Sequence, residues 1–174
     1  EHKSDRSKAS EVENAIKDYI KFNLDEDPEY YEALSKRLGE IIKQNEEKWD
    51  SLVQMLLEFR GNIESDRQQQ AKDIGLSDTE FAFHNILMAE VSRLHDEEVD
   101  EATHQQVIEV VKQLVDMMQE ATGIVDFFSK WNEVKAMKKR IKRTILSEDF
   151  GSKELVEAIS ERFMDLAQAK FKVR

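Results

Sequence analysis

The sequence predicts an all-α protein: a single compact bundle of about seven amphipathic helices with no sheet. Three observations carry that prediction. Only five glycines and one proline occur in 174 residues, too few for the many tight corners of a sheet. Glu, Lys, Leu, Ala and Gln, all good helix formers, are abundant instead. Apolar residues recur three and four apart along most of the chain, which puts them on one face of a helix. A chain of this length falls in the usual range of one domain, so one core is expected, spanning residues 9–174 after a flexible N-terminal segment of residues 1–8.

Val12, Ile16, Tyr19 and Ile20 give the first helix, which the acidic run Asp25, Glu26 and Asp27 closes. Asp27 as N-cap and Pro28 at the first helical position start a second, carried by Tyr31, Leu34, Leu38, Ile41 and Ile42. Trp49, Leu52, Val53, Leu56, Leu57 and Phe59 line a third pattern, either continuous with the second or joined to it near residues 44–47. Residues 60–75 are polar and are expected to fray into a loop. Ser77 and Glu80 have the spacing of a capping box ahead of Phe81, Phe83, Ile86, Leu87 and Val91. An acidic connection of Asp96, Glu97, Glu98, Asp100 and Glu101 follows, with Asp100 or Thr103 available as a cap. Val107, Ile108, Val110, Val111, Leu114, Val115 and Met118 then restart the helical period. Ile124, Val125, Phe127, Phe128 and Trp131 lead into the sixth helix. Asp149, Phe150, Gly151 and Ser152 turn the chain into the last, which uses Leu155, Ile159, Phe163, Leu166 and Ala169.

Charge is distributed unevenly. Between Lys130 and Leu146 lie Lys130, Lys135, Lys138, Lys139, Arg140, Lys142 and Arg143 against one acid, Glu133, so this stretch carries +6 while the chain carries -11 and the remainder therefore -17. At 100° per residue Val134, Met137, Ile141 and Ile145 form a narrow stripe, and the cations occupy the opposite arc. Clustered like charges repel and slightly destabilise a fold, so an anionic partner is expected: nucleic-acid phosphates or an acidic protein surface. The plainer reading is a solvated face whose lysines pair with neighbouring acids. Against it stands the lack of any acid from Val134 to Leu146, since ordinary solvated faces mix signs.

Other chemistry is excluded or weak. Without Cys there are no disulfides, thiolate metal sites or thiol catalysis, and a reducing cytoplasmic setting fits. No apolar run approaches a membrane span and no signal peptide is visible, so a soluble protein is expected. The chain opens Glu1, His2, Lys3 without an initiating Met, as a piece of a larger protein would. Asp126, Glu133 and Lys135 mimic the D…E-x-K spacing of metal-dependent nucleases, but helical periodicity splays Glu133 and Lys135 by about 200° where that chemistry needs adjacent strands. Glu101 and His104 form a lone E-x-x-H; di-metal bundles need a second copy and two further Glu residues. His84 reads as a partly buried helix residue, and Trp49 and Trp131 read as core. No catalytic, cofactor or metal residue is assigned.

Two stretches carry a resemblance. One is Leu76-Ser77-Asp78-Thr79-Glu80-Phe81-Ala82-Phe83-His84-Asn85-Ile86-Leu87. The other runs from Ile124-Val125-Asp126-Phe127-Phe128 through Val134-Lys135-Ala136-Met137-Lys138-Lys139-Arg140-Ile141-Lys142-Arg143-Thr144-Ile145-Leu146. Within residues 76–146 the chain resembles the C-terminal region of the motor (restriction) subunit of type I restriction-modification enzymes, with the IC subfamily as the suggested branch. It has Phe127 where that family often has Trp and Lys135 where it often has Arg. The resemblance implies a complete subunit that hydrolyses ATP to translocate DNA, cuts it with a Mg-dependent nuclease, and assembles with methyltransferase and specificity subunits. ATP and Mg are implied for that subunit only. For this chain it implies a non-catalytic helical domain serving assembly with the methyltransferase core, DNA contact, or both; the charge cluster independently points to Lys130, Lys135, Lys138, Lys139, Arg140, Lys142 and Arg143 as DNA contacts, with the acidic surface free to dock. A pure protein-docking module with no DNA contact is the alternative.

Overall fold

Helix α1 (His2–Asn23), a 3-10 turn (Leu24–Glu26), α2 (Pro28–Gln44) and α3 (Trp49–Asp73) come first in the chain. They are followed by α4 (Asp78–Leu94), α5 (Glu101–Thr122), a second 3-10 turn (Phe127–Ser129), α6 (Trp131–Ser147) and α7 (Lys153–Phe171). The computed structural model describes residues 2–94, 99–148, 150 and 152–172, and among these there is no strand. The acidic connection at residues 96–98, and Asp149 and Gly151 of the last turn, lie outside the described residues. No described helix is long and apolar enough to cross a membrane. The chain divides into two compact units, meeting in sequence between Asp73 and Ile74. Each has its own buried cluster, where chain length alone suggested one core. The apolar stripes of α1, α2 and α3 converge on one another, and those of α4 to α7 do likewise.

In the first unit α1 packs along α3 and α2 around Ile16, Leu38 and Leu56. Asp27 caps α2, its Oδ1 accepting from the Tyr30 amide at 3.3 Å. Its other oxygen accepts from Arg67 Nε at 3.0 Å and Nη2 at 2.8 Å, and both side chains are buried. Tyr30 donates its hydroxyl to the Ile63 carbonyl at 2.8 Å. Burial first, then the neighbouring Asp66 carboxylate, pushes the Tyr30 phenol up to about 12.

This pairing explains two departures from the sequence reading. Residues 60–73 are helix, not loop, because Phe59, Ile63, Arg67 and Ala71 continue one buried stripe in which the third member is a paired guanidinium. A polar residue buried through its partner is invisible to a hydrophobic period. Residues 2–8 are also helical, forming the first turns of α1 ahead of the buried Ala9. Helices α2 and α3 are separate, broken at residues 45–48 where Glu47 takes a left-handed backbone at φ 73°.

In the second unit the helices contact one another in a ring, α4 to α5 to α6 to α7 and back to α4. The capping box at α4 is formed: Ser77 Oγ accepts from the Glu80 amide at 3.3 Å and Glu80 Oε2 accepts from the Ser77 amide at 2.7 Å. Asp100 caps α5 through the Thr103 amide, and Ser152 caps α7 through the Leu155 amide. Phe83 meets Phe163 edge to face at 5.0 Å between ring centroids. The buried Glu90 accepts from Arg93 at 2.8 Å and from Arg162 of α7 at 2.7 Å.

His84 is more deeply buried than expected, at 5% exposure, with its Nε2 3.3 Å from Nε2 of His104 on α5. Burial lowers its pKa from the ordinary 6.5, the Asn85 side chain opposes that, and His104 adds to it.

Two outcomes follow from these buried groups. Asp27→Ala removes the carboxylate that accepts two hydrogen bonds from the buried Arg67 guanidinium and also removes a cap, and is expected to cost about 3–5 kcal/mol in urea unfolding; a cost below about 1 kcal/mol would show the pair to be dispensable. Because His84 binds a proton more readily when unfolded, the stability from its neutral form is complete above the ordinary value of about 6.5 and is lost as pH falls through the lower folded value. Unfolding at about pH 7.5 and about pH 5.5 is therefore expected to show a larger loss on acidification in the wild type than in His84→Gln. Equal losses would contradict the assignment.

Candidate nucleic-acid interface

Helix α6 owes its position to what flanks it. Asp126 adopts a left-handed backbone at φ 55°, and the 3-10 turn after it buries Phe127, whose ring meets Phe128 edge to face at 5.1 Å. Lys130 is the N-cap residue, extended and without a side-chain cap, and Glu133 stands in the first turn where a carboxylate complements the helix dipole. At the far end Gln106 of α5 donates to both the carbonyl and the carboxylate of Glu148, at 3.1 and 3.0 Å, tying the end of α6 to α5. Between these ends Met137, Ile141 and Ile145 are buried and Val134 is half-buried against the same core.

With the stripe inward, the cations sort into two sets. Lys138 and Lys142 stand at the flank facing α7. Lys138 pairs with Glu161 and, at 3.2 Å, with Glu157; Lys142 pairs with Glu157. As the lysine moves four residues forward its partner moves four back, as antiparallel helices require. The hydrogen bond that Lys138 donates to Glu161 holds its ammonium above the ordinary pKa, and those donated by Lys142 and then Lys138 hold Glu157 below its own. Lys135, Lys139, Arg140 and Arg143 are exposed on the outward arc and form no ion pair among the described residues. Lys130 is exposed just before the helix.

Trp131 was expected in the core and is 70% exposed. The apolar residues near it in sequence belong to the preceding turn, and its own position lies about 80° round from the centre of the buried stripe. Lys135 Nζ sits 4.6 Å from its ring centroid, within cation–π range. Trp49, by contrast, packs half-buried on the first unit's core.

The remaining sequence patterns are placed as follows. Asp126 lies in a turn, while Glu133 and Lys135 are exposed on a helix, so the nuclease-like spacing has no pair of strands to hold it. Among the described residues no three His, Asp or Glu side chains gather as a metal site, and His104 faces His84. Sequence reading missed Glu157 and Glu161; the matching four-residue spacing of Lys138 and Lys142 was the available signal.

The α6–α7 ion pairs are exposed, and such pairs contribute about 0–1 kcal/mol each. Glu157→Ala with Glu161→Ala is expected to leave the urea unfolding midpoint nearly where it is in the wild type, with the helical signal unchanged. A large fall in the midpoint would mean that these pairs, and not the buried stripe, orient α6.

No curated protein and no solved structure matches the chain. A family model described as type I restriction enzyme HindI endonuclease subunit-like, C-terminal, matches residues 1–170, and the chain belongs to that family.

Proposed function

We propose that this chain is a non-catalytic C-terminal helical domain of the motor and endonuclease subunit of a type I restriction enzyme, and that α6 contacts duplex DNA through its phosphates. The observation that carries the DNA reading is the outward row of Lys135, Lys139, Arg140 and Arg143, which has no acid to neutralise it among the described residues. Lys130 extends the field at the start of the helix, while Lys138 and Lys142 are partly neutralised by α7 and contribute less. Contacts of this kind position a protein on DNA without reading bases. The acidic remainder of the chain would be repelled by phosphates and is free to meet the methyltransferase and specificity subunits and the rest of the motor subunit. In this reading ATP hydrolysis, translocation and Mg-dependent cleavage reside elsewhere in the full-length subunit, this chain binds no cofactor, and the assembly works in the cytoplasm.

The second reading is a docking module whose basic helix meets an acidic protein face. One observation favours it: beside the turn before α6 lies a surface cleft of about 320 Å³, lined by Val125, Phe128 and Phe171 among others, and Val125 is largely exposed. An apolar foothold of this kind suits a protein partner.

Salt dependence distinguishes the two. If the four outward cations each neutralise one phosphate, log affinity for duplex DNA falls with log salt at a slope of about -3.6. Replacing Lys139, Arg140 and Arg143 by Ala is expected to cut the slope to about -0.9 and to abolish binding at moderate salt. Absence of binding at low salt, or binding that this variant retains in full, would put the docking reading first.

A further inference from the structure

Trp131 is an exposed tryptophan at the head of a row of cations. The indole is 70% exposed, and Lys135 Nζ lies over it at 4.6 Å from the ring centroid. Lys139 and Arg143 continue the line at four-residue intervals, about 6 Å of helix rise apiece. The ring is thus held against α6 by a cation and not by packing, and it remains available to a planar partner. We infer that Trp131, Lys135, Lys139 and Arg143 form a site for single-stranded or locally unpaired DNA, with the indole stacking on an unpaired base and the cations following its phosphates. This rests on the reading of α6 as a DNA contact and adds to it a preference for strand state.

The chemistry argues for that ligand. A base–aromatic stack needs an open base face, which an unpaired nucleotide presents and an intact duplex buries within its own stack. Evenly spaced cations suit a polyanion with a regular charge repeat. An acidic protein surface could meet the cations, but it would also have to bring an apolar pocket to the indole in the midst of its carboxylates. Lys135 serves both functions, since it sits within cation–π distance of the ring and begins the phosphate track.

The test uses the whole 174-residue chain with Trp49→Phe, so that Trp131 is the only tryptophan that emits. It is titrated at low salt with oligothymidylate and with a duplex of equal length. The single strand is expected to quench Trp131 emission. Trp131→Ala is expected to weaken single-strand binding about tenfold, with Trp131→Phe recovering most of it, and to change duplex binding less than about twofold. If both DNA forms bind and Trp131→Ala alters neither, or weakens both equally, the stacking site is wrong while the phosphate contact stands. If neither form binds although helical content is intact, the DNA reading of α6 fails and this inference fails with it.

Discussion

Burial of Met137, Ile141 and Ile145 against the core of the second unit fixes the rotation of α6 about its axis, and the fate of every charge on that helix follows from it. Three fully buried apolar side chains at about 1.5–3 kcal/mol each outweigh exposed ion pairs at about 0–1 kcal/mol each. The stripe therefore decides which way the helix faces, and the charges accept the result. The turn that buries Phe127 and the tie from Gln106 to Glu148 hold the two ends, so the helix is set in length as well as in rotation.

That rotation divides one basic segment into two parts. Lys138 and Lys142 fall close enough to α7 to meet Glu157 and Glu161, and there the plain reading of a solvated, paired face is correct. Lys135, Lys139 and Arg143 fall one helical turn apart on the outside, with Arg140 beside them. Like charges at this spacing cost a helix a few tenths of a kcal/mol per pair, a small but uncompensated penalty. The contact with DNA phosphates that we propose would relieve that penalty.

Much of this was legible in the sequence where a rule is local. Asp27 with Pro28, the Ser77–Glu80 box and Asp100, one of two candidates with Thr103, cap the helices they precede, because caps depend on side chains within three residues of a helix start. Every apolar residue that the sequence places on the stripes of α4 and α5 is buried, since helices buried on a broad face carry a dense apolar period, while the buried His84, Glu90 and Thr122 lie outside that period. The motif resemblance confined to residues 76–146 is matched by a family model over residues 1–170. What escaped was what depends on a distant partner. Arg67 looked like loop because Asp27, forty residues away, makes its burial affordable; the C-terminal half of α3 went with it. The division into two cores escaped because apolar period says which face is buried and not against what. Trp131 escapes the period because its apolar neighbours in sequence belong to the preceding turn and not to its own helix.

Rotation of α6 engages Lys138 and Lys142 with α7 and leaves Lys135 and Lys139 exposed, where we propose that they meet DNA. Differential lysine acylation of the chain, read residue by residue with mass spectrometry in the presence and absence of duplex DNA at low salt, tests it most directly. Protection is predicted at Lys135 and Lys139, with Lys138 and Lys142 reacting slowly in both states and exposed lysines of the first unit, such as Lys36 and Lys43, reacting alike in both. Unchanged reactivity of Lys135 and Lys139 under conditions where DNA is bound, or protection centred on the first unit, would contradict the account.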